Sequence, residues 1–283
     1  MKTICIYHKN CFDGICSAWV ISKKYPNAEF MPMNYGDSLD WLTQGWNQGI
    51  YESSDRLIIV DFSFPRNTMI SLSEMFIGDY RFENGILVLD HHKTAQANCE
   101  GLSFCKFDMN ESGASLAWKH FFGDDIPYLV RYIKDRDLWL FKEDESEAVN
   151  SYIQSFPMAI ENYEMLHEQL DLETGTDKAI ENGKSILRYK QTMIQAICKN
   201  AAFDKDGIPT VNTSILFSEV GHELCKMFPS KPYSQYYFDR LGDNTRQWGL
   251  RSIGDFDVSE VAKKHGGGGH KNAAGWQHSL SEL

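Results

Sequence analysis

The chain has 283 residues, 42% hydrophobic and 24% charged, the profile of an ordinary globular protein of about two domains. No apolar run is long enough to span a bilayer, and the apolar patch after Met1 is too short for a signal-peptide core. Seven cysteines without a CxxC pair read as free thiols, so a cytoplasmic protein without a membrane partner is expected. The net charge of −11 disfavours long strands and duplex DNA as ligands, and fits a carboxylate-rich site that needs cations.

Residues 3–7 (TICIY) are β-branched, apolar and aromatic, and end at His8. Residues 57–60 (LIIV) end at Asp61, and 86–89 (ILVL) at Asp90, followed by His91 and His92. Such short runs, apolar on both faces, suit buried strands of a parallel sheet. Helical stretches lie between them, from Asp13 to about Lys24 and from about Asn67 to Met75. The alternation predicts an α/β fold with a doubly wound, mainly parallel sheet, in which ligands bind beyond the carboxyl ends of the strands. His8, Asp61, Asp90, His91 and His92 are therefore expected around one crevice, with Cys11, Asp13 and Gly14 in the first turn. Any one of them alone is an ordinary turn former, and Asp13 alone an ordinary helix cap. Three consecutive strand ends carrying His or Asp point instead to a divalent-metal site. Mixed nitrogen and oxygen donors favour Mn²⁺, with Zn²⁺, Co²⁺ or Fe²⁺ as alternatives. Two such ions suit attack of an activated water at phosphorus.

Further along, YIKDRDLWLF follows an apolar helical stretch and offers Asp135 and Asp137 to the same site. Segment 141–170 reads as helical, broken at Phe156-Pro157. Residues 175–200 read as one long connecting helix, with Ala179, Ile180, Ile186, Leu187, Met193, Ile194 and Ile197 at helical spacing. Strands are expected over 209–217 and 246–253. Helices are expected from Ser218 to about Met227, with Val220, Leu224 and Met227 on one face, and from Val258 to Lys264. The domains are then 1–174 (metal-binding), 175–200 (connecting helix) and 201–283 (a smaller α/β domain). The closing stretch KHGGGGHKNAAG reads as a phosphate-contacting loop. Gly267, Gly268, Gly269, His270, Arg251 and Ser252 are its expected substrate contacts. Ala273, Ala274 and Gly275 are expected to allow a tight turn or helix start.

These residues resemble the DHH phosphoesterases. Asp90-His91-His92 matches the family signature, and His8-Lys9-Asn10-Cys11-Phe12-Asp13-Gly14 is similar to its first motif. Val60-Asp61 with Pro65 is similar to the second motif, Asp135 or Asp137 to the fourth, and GGGGHKNAAG to the signature of the partner domain, DHHA1. The resemblance implies a phosphoesterase using two Mn²⁺ ions. Asp61 would bridge them. Asp13, His91 and Asp135 or Asp137, with a lean to Asp135, would bind one ion, and His8 the other. His92 would lie beside the reacting phosphate, with Asp90 orienting the imidazoles. Cys11 departs from the family pattern, standing where an aspartate ligand is usual. Either it is a soft ligand or it packs without touching metal. A compact DHH–DHHA1 pair most resembles hydrolases of short oligoribonucleotides or linear dinucleotides. Polyphosphate or small-nucleotide phosphatases, or a weakened nucleotide-binding protein, are the alternatives. Phe12, Phe62 and Trp276 are taken as base-stacking aromatics by adjacency alone, and a homodimer is left open.

Overall fold

The structure, a computed structural model, describes residues 1–78 and 85–282. It has two compact units, Met1–Ile186 and Leu187–Leu283. The first contains β1 (Thr3–His8), α1 (Phe12–Lys24), β2 (Glu29–Met33), α2 (Asp40–Asn47), β3 (Arg56–Val60), α3 (Arg66–Met75), β4 (Ile86–Asp90), α4 (Lys93–Asn98) and β5 (Cys105–Phe107). Four helices follow: α5 (Gly113–Phe122), α6 (Tyr128–Asp137), α7 (Ser146–Ile153) and α8 (Ile160–Leu170).

The five strands form one parallel sheet in the order β2-β1-β3-β4-β5. Successive side chains point to opposite faces. Cys5, Ile58, Val60, Leu87 and Leu89 join a core that includes Trp19, Ala114, Val130 and Leu166 from the helices. Ile4, Ile6, Leu57, Ile59, Ile86 and Val88 join a second core with Leu42, Met69 and Leu72. A sheet covered on both faces explains why its strands read as unbroken apolar runs, each buried aliphatic side chain contributing roughly 1.5–3 kcal/mol. The order reverses between β1 and β3, the topological switch point where such sheets bind ligands. Tyr7 pairs with Val60 and Val60 with Leu89, so the next residues, His8, Asp61 and Asp90, end three neighbouring strands at one level.

Helix α9 (Gly175–Cys198) runs across the division between the units, burying Ala179, Ile194 and Cys198. The second unit holds β6 (Ala202–Phe203), β7 (Pro209–Asn212), α10 (Phe217–Met227), β8 (Ser234–Arg240), β9 (Thr245–Arg251), α11 (Val258–Lys263), β10 (Gly268–His270) and β11 (Ala273–Ser279). Its sheet runs β10-β11-β9-β8-β7-β6, antiparallel except for β7 against β8. The molecule is thus α/β with a parallel sheet and a second, mixed sheet. Among the described residues no helix is long and apolar enough to cross a membrane.

Several expectations are corrected here. The strand expected over 209–217 stops at Asn212, because Thr213 turns the chain onto Ile215 and Leu216 (φ 51°) leads into α10. Met227 does not share the buried face of Val220 and Leu224; it is exposed. Ala273, Ala274 and Gly275 are neither turn nor helix start but the first residues of β11. The glycine run is not a free loop either. Gly268–His270 is an edge strand paired with β11, and Gly267 N–H donates to Ala262. Gly269, at φ 140°, sits against the Ala273 carbonyl and Ala274, where any side chain would collide.

Candidate metal centre

The parallel sheet delivers its strand ends as a ring of donors. Asp61 is at the middle. It leaves β3 at φ 54°, an uncommon left-handed conformation for an aspartate, and its N–H donates to Leu89 (2.9 Å). Its Oδ1 accepts from His91 Nε2 at 3.0 Å, and its Oδ2 stands 3.5 Å from His8 Nδ1. His91 Nε2 also faces Asp13 Oδ2 at 3.7 Å and Asp137 Oδ2 at 3.5 Å. Two three-residue groups share Asp61: His8–Asp61–His92 and Asp13–Asp61–His91. Within each, one ligand atom per residue lies within 4.8 Å of the others.

The supports are equally specific. Asp90, fully buried, uses one oxygen to accept from the backbone N–H of His91 (2.7 Å) and of His92 (3.2 Å), and to bind His92 Nδ1 (2.7 Å). Asp13 lies at the N-terminus of α5, accepting from Gly113 N–H (2.5 Å) and Ala114 N–H (3.1 Å). That helix is capped by a reciprocal Ser112–Ser115 pair, and Ser115 donates to Glu111, which also binds Lys119 and Lys134. Gly113 has no room for a side chain, which would strike Asp61 and the Asp13 carboxylate.

Three carboxylates around one imidazole, those of Asp13 and Asp61 fully buried and that of Asp137 partly so, are an electrostatic deficit. Burial and the charges of Asp61 and Asp137 push the Asp13 carboxyl well up. Burial raises Asp137 as well. Asp61 goes the other way: burial opposes ionisation, but His8 and His91 hold it well below the usual range. Burial alone would lower His91, yet Asp137, Asp61 and Asp13 push it up to about 10. A proton on His91 thus supplies the positive charge that a bound cation would supply instead. Among the described residues, His8 Nδ1, Asp61 Oδ2 and Asp137 Oδ2 are buried without a hydrogen-bond partner. Orphaned donors of this chemistry, arranged as two groups around a shared carboxylate, fit a pair of divalent cations.

No family model matches the chain. It is 27% identical over 96% of its length to uncharacterized protein R106 of Acanthamoeba polyphaga mimivirus, spanning 66% of that protein. It is 22% identical over 95% of its length to oligoribonuclease NrnB of Bacillus subtilis (strain 168), spanning 71% of that protein. With Asp90-His91-His92 seated at the sheet end beside Asp61, these similarities agree with the resemblance drawn from the sequence motifs. The chain is similar to the DHH phosphoesterases. Among solved structures, an uncharacterized protein from Helicobacter pylori G27 superposes with a TM-score of 0.49 at 17% identity, covering 98% of this chain and 93% of the other.

The candidate centre thus brings together His8, Asp13, Asp61, Asp90, His91, His92 and Asp137. It does not include Asp135, and the lean to that residue is corrected. Both Asp135 oxygens accept backbone N–H groups, from Lys142 (2.8 Å) and Glu143 (3.2 Å), tying down the loop after α6. Cys11 is the N-cap residue of α1 and stands outside both three-residue groups. Burial and the charges of Asp61, Asp137 and Asp13 push its thiol well up.

In the second unit, Arg251 is held by Leu250 O (2.8 Å) and Ser218 Oγ (2.7 Å). Ser252 stands next to Arg251 at the end of β9. Its hydroxyl donates to Phe256 O (2.7 Å) and accepts from Asn272 (2.9 Å), closing a turn. Phe62 is fully buried and reaches no base. Trp276 is stacked between Trp248 (5.7 Å) and His265 (4.4 Å), and Phe12 lies 5.8 Å from the Arg136 guanidinium. Sequence reasoning missed Ser112, Gly113 and Tyr35. The run Ser112-Gly113-Ala114-Ser115 is a helix-start signal, but nothing in it reveals contact with Asp13, a hundred residues away.

Proposed function

We propose that the chain is a Mn²⁺-dependent phosphodiesterase that hydrolyses short oligoribonucleotides or linear dinucleotides to mononucleotides. The observation that carries this reading is the sharing of Asp61 between two groups of metal-binding side chains at the switch point of the sheet. The substrate class is supported by the relative named as an oligoribonuclease, which aligns over 95% of this chain.

Asp61 serves both cation positions. Asp13, His91 and Asp137 complete one, and His8 belongs to the other. When bound, such cations lower the pKa of water and neutralise charge on a phosphoryl group. The protein's own part is positioning. The α5 N-terminus fixes Asp13, and Asp90 fixes the His92 ring through Nδ1, leaving His92 Nε2 for the reacting phosphate. Arg251, His270 and the backbone of Gly267, Gly268 and Gly269 are assigned to the substrate's phosphate or terminal nucleotide.

The test is turnover with Mn²⁺ of RNAs from two to about twenty nucleotides, a cyclic dinucleotide, polyphosphate and a nucleoside 3′,5′-bisphosphate. Mononucleotide release fastest from the shortest RNAs is expected, and Asp61→Ala should abolish it while the fold remains. Turnover confined to polyphosphate or the bisphosphate would replace the substrate. Full activity in Asp61→Ala would remove the metal assignment.

A further inference from the structure

We propose that Tyr35 is a further substrate-contacting residue, its hydroxyl donating a hydrogen bond to a non-bridging oxygen of the phosphoester. This rests on the phosphoesterase reading above but not on the choice of oligonucleotide as substrate.

Tyr35 lies in the connection from β2 to α2. The turn is fixed locally: Asn34 N–H donates to Asp37 Oδ2 (2.8 Å), Asp37 N–H donates to Asn34 O (3.2 Å), and Gly36 takes φ 90°. The Tyr35 ring stands edge-on to His8 (5.7 Å, 72°) and to His92 (6.2 Å, 79°). It leans on Phe62 at 4.7 Å. Phe62 is fully buried against Phe64 (4.9 Å), so the surface beneath Tyr35 is firm. The ring therefore adjoins His92, beside the reacting phosphate in the reading above, and His8, assigned there to a cation position.

Packing alone does not account for this residue. Tyr35 is 47% exposed although it adjoins the most buried charged cluster of the unit. Its hydroxyl meets no hydrogen-bond partner among the described residues. A phenylalanine would cover Phe62 and His8 equally well. What the tyrosine adds is one donor beside a centre otherwise made of acceptors and imidazoles. An anionic phosphoryl oxygen is the ligand group that such a donor suits.

Tyr35→Phe tests this, because it keeps the ring and removes only the donor. The Mn²⁺-loaded full chain is titrated with inorganic phosphate by calorimetry, and the Mn²⁺ affinity is measured separately. Tyr35→Phe should weaken phosphate binding about 10- to 100-fold, the usual scale for a hydrogen bond to a charged group. It should leave Mn²⁺ affinity at the wild-type value and lower kcat/KM for short RNAs in parallel. Unchanged phosphate affinity overturns the proposal, as does a wild-type chain that binds no phosphate. An equal loss of Mn²⁺ affinity also overturns it, since the residue would then act through His8. Weakened phosphate binding in a protein whose wild type cleaves no RNA would keep Tyr35 and remove the oligonucleotide reading.

Discussion

Asp61 and Asp137 are single side chains whose chemistry is set by backbone placement. The left-handed φ of Asp61 costs roughly 1–3 kcal/mol and is held by the bond to Leu89, so the strand ends with its carboxylate facing both imidazoles. Asp135 and Asp137 stand two apart on α6, about 200° around the helix, so only one of them faces the strands. The structure gives that face to Asp137, and the two predictions diverge. Asp137→Asn should weaken Mn²⁺ binding roughly tenfold or more with little change in melting temperature. Asp135→Asn should keep Mn²⁺ binding and destabilise the fold by about 1–3 kcal/mol, since it weakens charged acceptors of two backbone N–H groups. Calorimetric titration and thermal melting of both variants decide it, and the reverse pattern would return the site to Asp135. The strand-end ligands were legible in the sequence because each directly follows an apolar run. The choice on α6 was not, because it depends on how Leu129, Val130 and Ile133 seat that helix in the core.

At the scale of elements, α5 acts as a fixed pair of donors at its N-terminus. Gly113→Ala would force that terminus away from Asp61 and Asp13. Mn²⁺ affinity should fall about 10- to 100-fold, as when other groups that orient metal ligands are lost. Wild-type affinity in that variant would show that α5 does not hold Asp13 in place. The start of α5 is braced by Glu111. Burial alone would raise its carboxyl pKa, but Lys119, Lys134 and Ser115 hold it below the usual value. A depressed carboxylate pKa contributes stability that is present above its unfolded value and lost as pH falls through the folded one. Glu111→Gln should therefore cost about 1 kcal/mol at neutral pH, with the gap closing below about pH 4, as urea melts across pH would show. A pH-independent gap would assign the loss to packing. Element type was readable where periodicity was strong, as in α9 and the three central strands. It failed at β2, whose Pro32 breaks an edge strand's pattern, and at β8, whose alternation of Ser234, Tyr236 and Phe238 was passed over.

Charge is divided unevenly over the whole molecule. Residues 1–186 carry 16 Lys and Arg against 29 Asp and Glu, whereas 187–283 carry 12 against 10. The first unit is therefore strongly acidic and the second slightly basic, although the chain as a whole stands at −11. The acidic surplus of the first unit includes the carboxylates that need cations. Phosphate contacts outside the metals are then expected from the second unit, where Arg251 is already oriented by Leu250 and Ser218. Arg251→Ala should raise KM for short RNAs about tenfold or more, while kcat and Mn²⁺ affinity hold, because Arg251 belongs to none of the groups of metal-binding side chains. Arg251→Lys should recover only part of the loss, since it keeps the charge but not the forked donor. The salt dependence gives an independent reading. Losing one phosphate contact to a single strand should make the log–log slope of affinity against salt shallower by about 0.7. A KM and a salt slope both unchanged in a well-folded Arg251→Ala protein would take substrate binding away from Arg251. The basic surplus of the second unit would then owe nothing to that contact.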